Sequence, residues 1–439
     1  MDVANPLPAA AMWCAEFELS ADHRLHGVVS RHDDQQTSRV LVRLHGEPLG
    51  YVRVARAGND DEVKAVLDAV NAELLDRLNQ HLLDEGQQPM PAVTTDVRPP
   101  AAAATCPNAP EPIGLFSVVV CTRDRADILG SCLNRLAALT YPDLEFIVVD
   151  NAPSDDSTEL LVKEFASADE RFRYVREPVP GLSSARNRGL AAATGSRVAY
   201  TDDDVSVDPG WIDGLARGFR RRADVACVTG LVCTANITNP SEAYFDARTA
   251  SWSSRCESEL FDLRDLGSRD VLYPYAAGIF GTGASFAVNR DVMRDLGGFD
   301  EALGAGTKTR GGEDLDMFVR LLRARHALAY EATAVVWHHH RADEQALLKQ
   351  MYGYGTGLSA FLTKLALSRA TRWDLLHRVP GGIRKLRSMS GETQERLVEK
   401  MPAPPGIVKQ ERLGFLAGPY LYAQARRAAN RRPASGASS

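Results

Sequence analysis

The sequence predicts an α/β fold with a mainly parallel sheet flanked by helices, and three observations carry that reading. Apolar strand-like runs at residues 116–121, 144–149, 172–175 and 197–201 alternate with helical patterns at 126–139, 157–166 and 183–193. Strands buried on both faces read as unbroken apolar runs, and crossover helices supply that cover. Polar clusters fall just beyond the strand ends, where ligands bind in open parallel sheets. The 439 residues exceed what one core serves, so two or three units are expected.

Ahead of this region, residues 13–19, 39–44 and 49–54 read as short strands. Residues 60–83 read as one helix, with Val63, Val66, Leu67, Val70, Leu74 and Leu75 at helical spacing and Asn59-Asp60-Asp61 as its start signal. Residues 1–85 are thus expected to form a small α+β domain, and no motif in it points to chemistry. Residues 86–112 hold Pro89, Pro91, Pro99, Pro100, Pro107, Pro110 and Pro112 and the alanine run 101–104. Such a stretch buries no core and is expected as an extended or disordered linker. The main domain then spans 113–341. Residues 342–439 form a helical, basic extension with a disordered end. It opens with a helix at 344–365 whose Leu347, Leu348, Met351, Tyr354, Leu358, Phe361, Leu362 and Leu365 make a broad apolar stripe.

Hydrophobic residues make up 44% and charged residues 25%, the balance of a soluble globular protein. No run approaches the roughly 18 apolar residues that span a bilayer. Residues 1–11 have neither a basic start nor a long apolar run, so no secretion signal is expected. The seven cysteines are odd in number and form no CxxC pair, which favours buried thiols in a reducing cytoplasm over disulfides or zinc. Residues 364–432 carry fifteen Lys/Arg against five Asp/Glu, a net of +10, so the total of −6 leaves −16 for the remainder. A basic tail on an acidic body fits peripheral contact with the inner face of the plasma membrane, or a solvated helical surface. For the apolar stripe, packing on the main domain competes with lying on an anionic membrane. Nothing points to a nucleic acid.

The first strand of the main domain ends in Cys121-Thr122-Arg123-Asp124-Arg125. It has no glycine, which argues against a dinucleotide-binding dehydrogenase. The second ends in Asp150-Asn151, a carboxylate suited to a base or ribose, or a turn-forming pair. Arg186 and Asn187 could hold a phosphate, a ribose or the acidic triplet, or pair with acidic neighbours on a helix face. The fourth strand runs into Asp202-Asp203-Asp204, where each ionised carboxylate raises the cost of ionising the next. A hard divalent ion would offset that and could bridge to phosphates. The plainer alternative is an acidic loop before a helix at 209–220, with Asp208 as N-cap. Gly281-Thr282-Gly283-Ala284-Ser285 lets a ligand approach backbone N–H groups, or is a tight turn. Glu313-Asp314 opens a helix after a glycine-rich loop expected to be mobile. The pair is either first-turn acids facing the helix dipole or a general base at a loop-gated site. His338-His339-His340 ends an apolar run, and one imidazole joining the triplet would complete a mixed nitrogen and oxygen shell.

In this order these elements, together with Gly297-Gly298-Phe299-Asp300, resemble the inverting family 2 glycosyltransferases of the GT-A fold, bacterial type. The likeness covers 116–341 and leaves the extra N-terminal domain and most of the tail aside. It implies that Thr122, Arg123 and Asp150 line the nucleotide pocket, with Asp150 near the base. Arg186, Asn187, Gly283 and Ala284 would join the nucleotide-sugar site, and Asp202 and Asp203 would contact the donor. Asp204 would bind Mn2+ or Mg2+ through the diphosphate, with Asp202 and His338 completing the shell. His338 opens a His-x-x-Arg pattern, and His340 is the alternative. Asp314 would be the catalytic base, supported by Glu313. The implied reaction moves a sugar from a nucleotide-sugar, a UDP-sugar first among donors, to a hydroxyl of a glycan, a lipid-linked or a small-molecule acceptor. A sugar nucleotidyltransferase is the runner-up, but its glycine-rich loop after the first strand is absent. A non-catalytic glycan-binding protein on an inactive fold is opposed by the intact acidic set.

Overall fold

The computed structural model describes residues 11–264, 272–340, 343–378, 380–382 and 404–431. Arg341, much of the basic tail and both chain ends lie outside the described residues.

The N-terminal unit is a three-stranded sheet of β1 (Met12–Glu18), β2 (Thr37–Leu44) and β3 (Glu47–Ala55). β1 pairs parallel with β2, and β2 turns back into β3 through His45-Gly46, both at positive φ (51° and 80°). That geometry matches the right-handed strand twist at a two-residue hairpin turn. The single helix expected here is two, α1 (Asn59–Glu73) and α2 (Leu75–Asp84), broken at Leu74 with φ −124°. Leu74 turns in over Gly50, where even a Cβ would come within 2.6 Å of its Cδ2. Val63, Val66, Leu67 and Val70 bury against Phe17, Val40, Val42 and Val52.

Residues 86–112 form no helix or strand, as their prolines require, yet they follow a fixed path. Asn79 brackets the main chain of Met90 (2.7 and 2.9 Å), and Asn71 brackets that of Val93 (2.8 Å each way). Val93 is buried in the core of the N-terminal unit.

The main sheet contains β4 (Phe116–Thr122), β5 (Leu144–Asn151), β6 (Phe172–Glu177), β7 (Arg197–Asp202), β8 (Val205–Val207), β9 (Val225–Thr234), β10 (Glu259–Phe261), β11 (Ser285–Asn289) and β12 (Ala327–His338). Their order is β10-β12-β9-β11-β7-β4-β5-β6, with β8 beside β12. β6, β5, β4 and β7 run parallel, as do β9 and β12, whereas β11, β10 and β8 are antiparallel insertions. Val118, Val120, Phe146 and Val148 face α3 (Ala126–Ala137) and α6 (Trp211–Arg220). The alternate residues Val119, Ile147 and Val149 face α5 (Leu182–Ala192). α4 (Ser157–Ala168), α7 (Pro240–Ser253), α8 (Arg290–Asp295) and α9 (Glu313–Arg323) complete the flanks. From β4 the chain goes to β5 and β6 on one side and returns to β7 on the other. The crevice beyond Thr122 and Asp202 is therefore the topological switch point.

Asp208 is not the N-cap of α6; Gly210 holds that position. Asp208 instead accepts from Arg43 Nη1 at 2.6 Å, both side chains being buried. Arg39 pairs with Asp246 at 2.6 Å and Tyr51 donates to the Ser253 carbonyl at 3.1 Å, so the two units share a charged, buried interface.

α10 (Glu344–Leu367) and α11 (Ile407–Asn430) pack against each other through glycine. A Cβ on Gly355 would lie 2.1 Å from the Glu411 carbonyl, and one on Gly414 2.2 Å from that of Tyr352. Leu347, Met351, Phe361 and Leu365 of the apolar stripe are buried in the fold, so α10 does not present that stripe to a membrane. No helix among the described residues is long and apolar enough to cross one.

Asp208→Ala should leave Arg43 with the more exposed Glu16 as its remaining carboxylate, beside the Gly46 carbonyl, and is expected to cost about 3 kcal/mol, the low end for breaking a buried ion pair. Urea denaturation followed by circular dichroism checks this; a loss under about 1 kcal/mol would show that the pair does not hold the interface.

Candidate active site

A cavity of about 310 Å³ opens at the switch point. β4 contributes Cys121 and Thr122, and the turn after it Arg123 and Arg125; β7 and its turn contribute Asp202, Asp203 and Asp204. Register places Cys121 opposite Asp202 and Thr122 opposite Asp150. The far wall comes from Thr282, Ala284, Ala305 and Gly306, and from His338 at the end of β12. His338 arrives there because β8 pairs Val205 with it, directly after the triplet.

The three carboxylates are handled differently. Asp203 accepts from Thr122 Oγ1 at 2.7 Å and pairs with Arg125, while burial pushes its carboxyl up to about 6 against that arginine's pull. Asp204 takes the other arm of Arg125 at 3.1 Å, and its Oδ1 lies 3.6 Å from His338 Nε2. Asp202 has Arg186 Nη2 at 3.7 Å. Burial lifts its carboxyl to about 7, with Arg186 opposing and Asp204 and Asp203 adding to the rise. The cationic partner that the sequence demanded is partly Arg125, a residue the motif reading passed over. It stands two places after Arg123, where α3 begins.

Arg186 is buried behind the cavity. Its Nη1 reaches Glu313 Oε1 at 3.2 Å, its Nη2 donates to the Gly283 carbonyl at 3.0 Å, and its guanidinium lies 5.2 Å from the Phe286 ring centroid. Glu313 is buried too, which lifts its carboxyl to about 7, the Asp314 charge adding to the effect; its Oε2 has no protein partner among the described residues. Asp314 is half-exposed. Its Oδ2 accepts from Gly283 N at 3.0 Å and its Oδ1 from Leu315 N at 2.8 Å, so the turn Thr282-Gly283-Ala284 carries it to the cavity edge. A side chain at Gly283 would strike Arg186, its Cβ lying 2.9 Å from Nη2.

The loop before α9 is tied down rather than mobile. Thr356 Oγ1 of α10 donates to the Thr309 carbonyl at 2.6 Å, and Gly304 N to Gly311 O at 3.2 Å. Gly312, at φ 90°, lies against Gly357, where an added Cβ would meet the Gly357 carbonyl at 2.6 Å.

Two expected site residues stand elsewhere. Asn187 brackets the main chain of Phe299 (2.7 and 2.9 Å), so its amide is spent on that turn, because it points off α5 away from the cavity. Asp150 is fully buried beneath the site and accepts from Tyr174 at 2.9 Å; Asn151 lines the cavity in its place. Of the histidines, His338 faces the carboxylates. His340 lies behind it, 3.0 Å from Thr234 Oγ1, and burial with the neighbouring His338 keeps it well below its usual pKa. His339 turns to Ser206 Oγ at 3.1 Å. Phe245, Gln350 and Tyr354 also line the cavity. No local signal marks them, since α7 and α10 meet the site only through the tertiary fold.

The donor set suits a hard divalent cation. Two carboxylates and one imidazole face a common space, and burial has already made the ionisation of Asp202 costly without one.

Residues 117–297 match the model of glycosyl transferase family 2. With that match, the mixed sheet and its switch-point crevice define a glycosyltransferase domain of the GT-A architecture. The match covers 181 of the 439 residues, and it is this segment that is similar to glycosyl transferase family 2. A pre-mycofactocin glycosyltransferase of Mycobacterium tuberculosis is 29% identical over 318 residues, 71% of this chain and 58% of that protein. This chain therefore spans less than two thirds of that relative's length. A glucosyl-dolichyl phosphate glucuronosyltransferase of Haloferax volcanii is 26% identical over 190 residues, 43% of this chain and 56% of that protein. A mannosyltransferase of Pyrobaculum calidifontis, solved with GDP-Man and Mn2+, aligns over 74% of this chain and 78% of its own at 19% identity, with a TM-score of 0.42.

The raised carboxyl of Asp202 gives a pH signature. The folded state holds this proton above the pH at which the unfolded chain releases it, so its contribution to stability is present below about pH 4 and is lost as pH rises through about 7. In metal-free buffer, Asp202→Asn should therefore stabilise the protein at pH 8 relative to the unaltered chain, with the gain shrinking towards pH 4. Urea titrations at both pH values check this; a mutant destabilised at pH 8 would refute it.

Proposed function

We propose that this chain transfers a sugar from a nucleotide-sugar donor to an acceptor hydroxyl, with inversion at the anomeric carbon. The observation that carries the reading is the disposition of two acidic groups around Arg186: the triplet on one wall, and Asp314 held through Gly283 on the other. The diphosphate belongs with the triplet, where Asp204, Asp202 and His338 would hold Mn2+ or Mg2+. When bound, that ion would neutralise the departing diphosphate without a proton. Thr122 and Arg123 border the nucleotide's side of the cavity. On the base's side Asn151 lines the cavity, and Asp150 lies buried beneath it with one carboxylate oxygen lacking a protein partner among the described residues.

Asp314 rather than Glu313 serves as base. Glu313 is sealed behind Arg186, whereas Asp314 is half-exposed and aimed by two main-chain N–H groups. The acceptor oxygen attacks the anomeric carbon and its proton passes to Asp314. A bond forms on one face as the bond to the diphosphate oxygen breaks on the other, so the centre inverts. A UDP-sugar heads the donors, and a glycan, lipid-linked or small-molecule hydroxyl accepts. Peripheral membrane contact, if this activity uses it, falls to α11, where Leu413, Leu416 and Tyr420 are exposed among basic residues.

Asp314→Asn should keep donor affinity within a few fold while turnover falls by roughly 10² to 10⁴. Asp204→Ala should abolish Mn2+-dependent binding of the nucleoside diphosphate. Calorimetry and product NMR check both. Loss of donor binding in Asp314→Asn would make that residue a ligand or cap, EDTA-insensitive binding in Asp204→Ala would remove the metal, and a retained anomeric configuration would rule out single displacement.

A further inference from the structure

Away from the cavity, four side chains converge inside the N-terminal unit: His45 in the β2–β3 turn, His81 and Glu85 one helical turn apart on α2, and Cys106 from the segment 86–112. One potential ligand atom from each lies within 4.8 Å of all the others. The side chains of His45 and His81 are 3% exposed and that of Glu85 is 0%, and none of the four lines the cavity.

The outer contacts fix the rings. His45 Nε2 lies 2.9 Å from the Pro100 carbonyl, and His81 Nδ1 lies 2.6 Å from Glu47 Oε2. Both partners only accept, so each ring carries its hydrogen on that outer nitrogen. The inner nitrogens, His45 Nδ1 and His81 Nε2, then hold lone pairs when the rings are neutral. They face each other at 3.1 Å and face Glu85 Oε1 at 2.6 and 2.7 Å. Three electron-rich atoms cannot share a buried point unless protons or a cation sit between them. The remaining groups are oriented as well: Glu85 Oε2 accepts from Ala103 N at 3.1 Å, and Cys106 Sγ accepts from Asn108 N at 3.4 Å. A carboxylate and a carbonyl behind the two imidazoles form the outer support that metal-bound histidines have.

We propose that His45, His81, Glu85 and Cys106 form a closed zinc site that fastens residues 86–112 to the N-terminal unit. Two imidazoles, a carboxylate and a thiolate make a four-ligand set suited to tetrahedral Zn2+, and the absence of exposure suits a structural rather than a catalytic ion. Binding converts the Cys106 thiol to thiolate, so its proton leaves as the zinc–sulfur bond forms, together with whatever proton bridged His45, His81 and Glu85 in the metal-free site. Burial holds that thiol up at about 11 without metal, and zinc affinity therefore rises with pH. The nitrogen and oxygen atoms, 2.6–3.1 Å apart, need to spread to about 3.3 Å, and Cys106 Sγ, within 4.8 Å of each, needs to settle beside them, to reach tetrahedral separations at zinc–nitrogen distances of about 2.0–2.1 Å.

The test uses the full chain, stripped with chelator and titrated with Co2+ and then Zn2+. We expect one tightly held Zn2+ per chain, and a Co2+ adduct with tetrahedral visible bands and a thiolate-to-cobalt charge-transfer band. Both should persist in Asp204→Ala, which separates this site from the catalytic one. Cys106→Ser should lose the charge-transfer band, and Glu47→Gln should weaken Zn2+ binding about 10- to 100-fold. Absence of the thiolate band in the unaltered chain would overturn the proposal whatever the variants do, leaving a proton-bridged His–Glu network. Zinc uptake abolished by Asp204→Ala alone would overturn it equally.

Discussion

Arg186 stands almost wholly buried at the meeting of β7, the 281–285 turn and the start of α9, and the electrostatics of the site are arranged around it. A lone guanidinium in that position would be costly, so it is surrounded by carboxylates; those carboxylates are in turn tolerable only because it is there. It touches Glu313, the Gly283 carbonyl and, at longer range, Asp202. Its flat faces rest on Phe286 and Phe299, which keep water from competing for its hydrogen bonds. Arg186 also holds the Gly283 carbonyl, and the N–H of the same residue donates to Asp314. One buried cation thereby couples a wall that would bind the leaving group to a wall that would bind the nucleophile.

This arrangement needs a rigid frame, and the frame comes from outside the matched domain. The helix pair α10 and α11 presses glycine backbones together and pins the loop that begins α9. Lys364 adds ion pairs to Asp300 and Asp316 at 2.7 Å each, bracketing the same loop from below. Such contacts substitute main-chain closeness for side-chain bulk, which explains why a segment rich in glycine is nevertheless fixed.

Where the sequence spoke clearly, it did so through long, unmixed signals. The apolar runs of β4, β5 and β7, and the acids at their ends, could be placed because a parallel strand buried on both faces leaves little ambiguity. Shorter or non-local features did not show. β8 has three residues, too few for a period, and the antiparallel placing of β11 between β7 and β9 is a tertiary feature that its strand-like run at 286–289 does not carry. Asp208 reads as a cap by its position before a helix, but a buried arginine 165 residues away claims it. Asn187 reads as a ligand by its neighbour, yet the side chain sits on the opposite side of the helix. Arg125 was visible and unread, although a triplet of carboxylates requires a cation nearby. Cys106, judged by cysteine spacing alone, gave no hint of the two histidines that surround it, because those arrive from a turn and a helix far apart in sequence.

The ion pair of Arg43 with Asp208 has a thermodynamic corollary. Asp208 lies just past β8, four residues from Asp204, on the strand that also aligns His338. A ligand at the triplet would therefore sit on the same stretch of chain as the carboxylate that grips the N-terminal unit. Linkage makes the effect reciprocal: whatever affinity the docked unit lends to a ligand, the ligand lends to docking. If occupancy of the cavity tightened the Arg43–Asp208 contact, the N-terminal unit would resist detachment more strongly when the cavity is filled, although it does not line it.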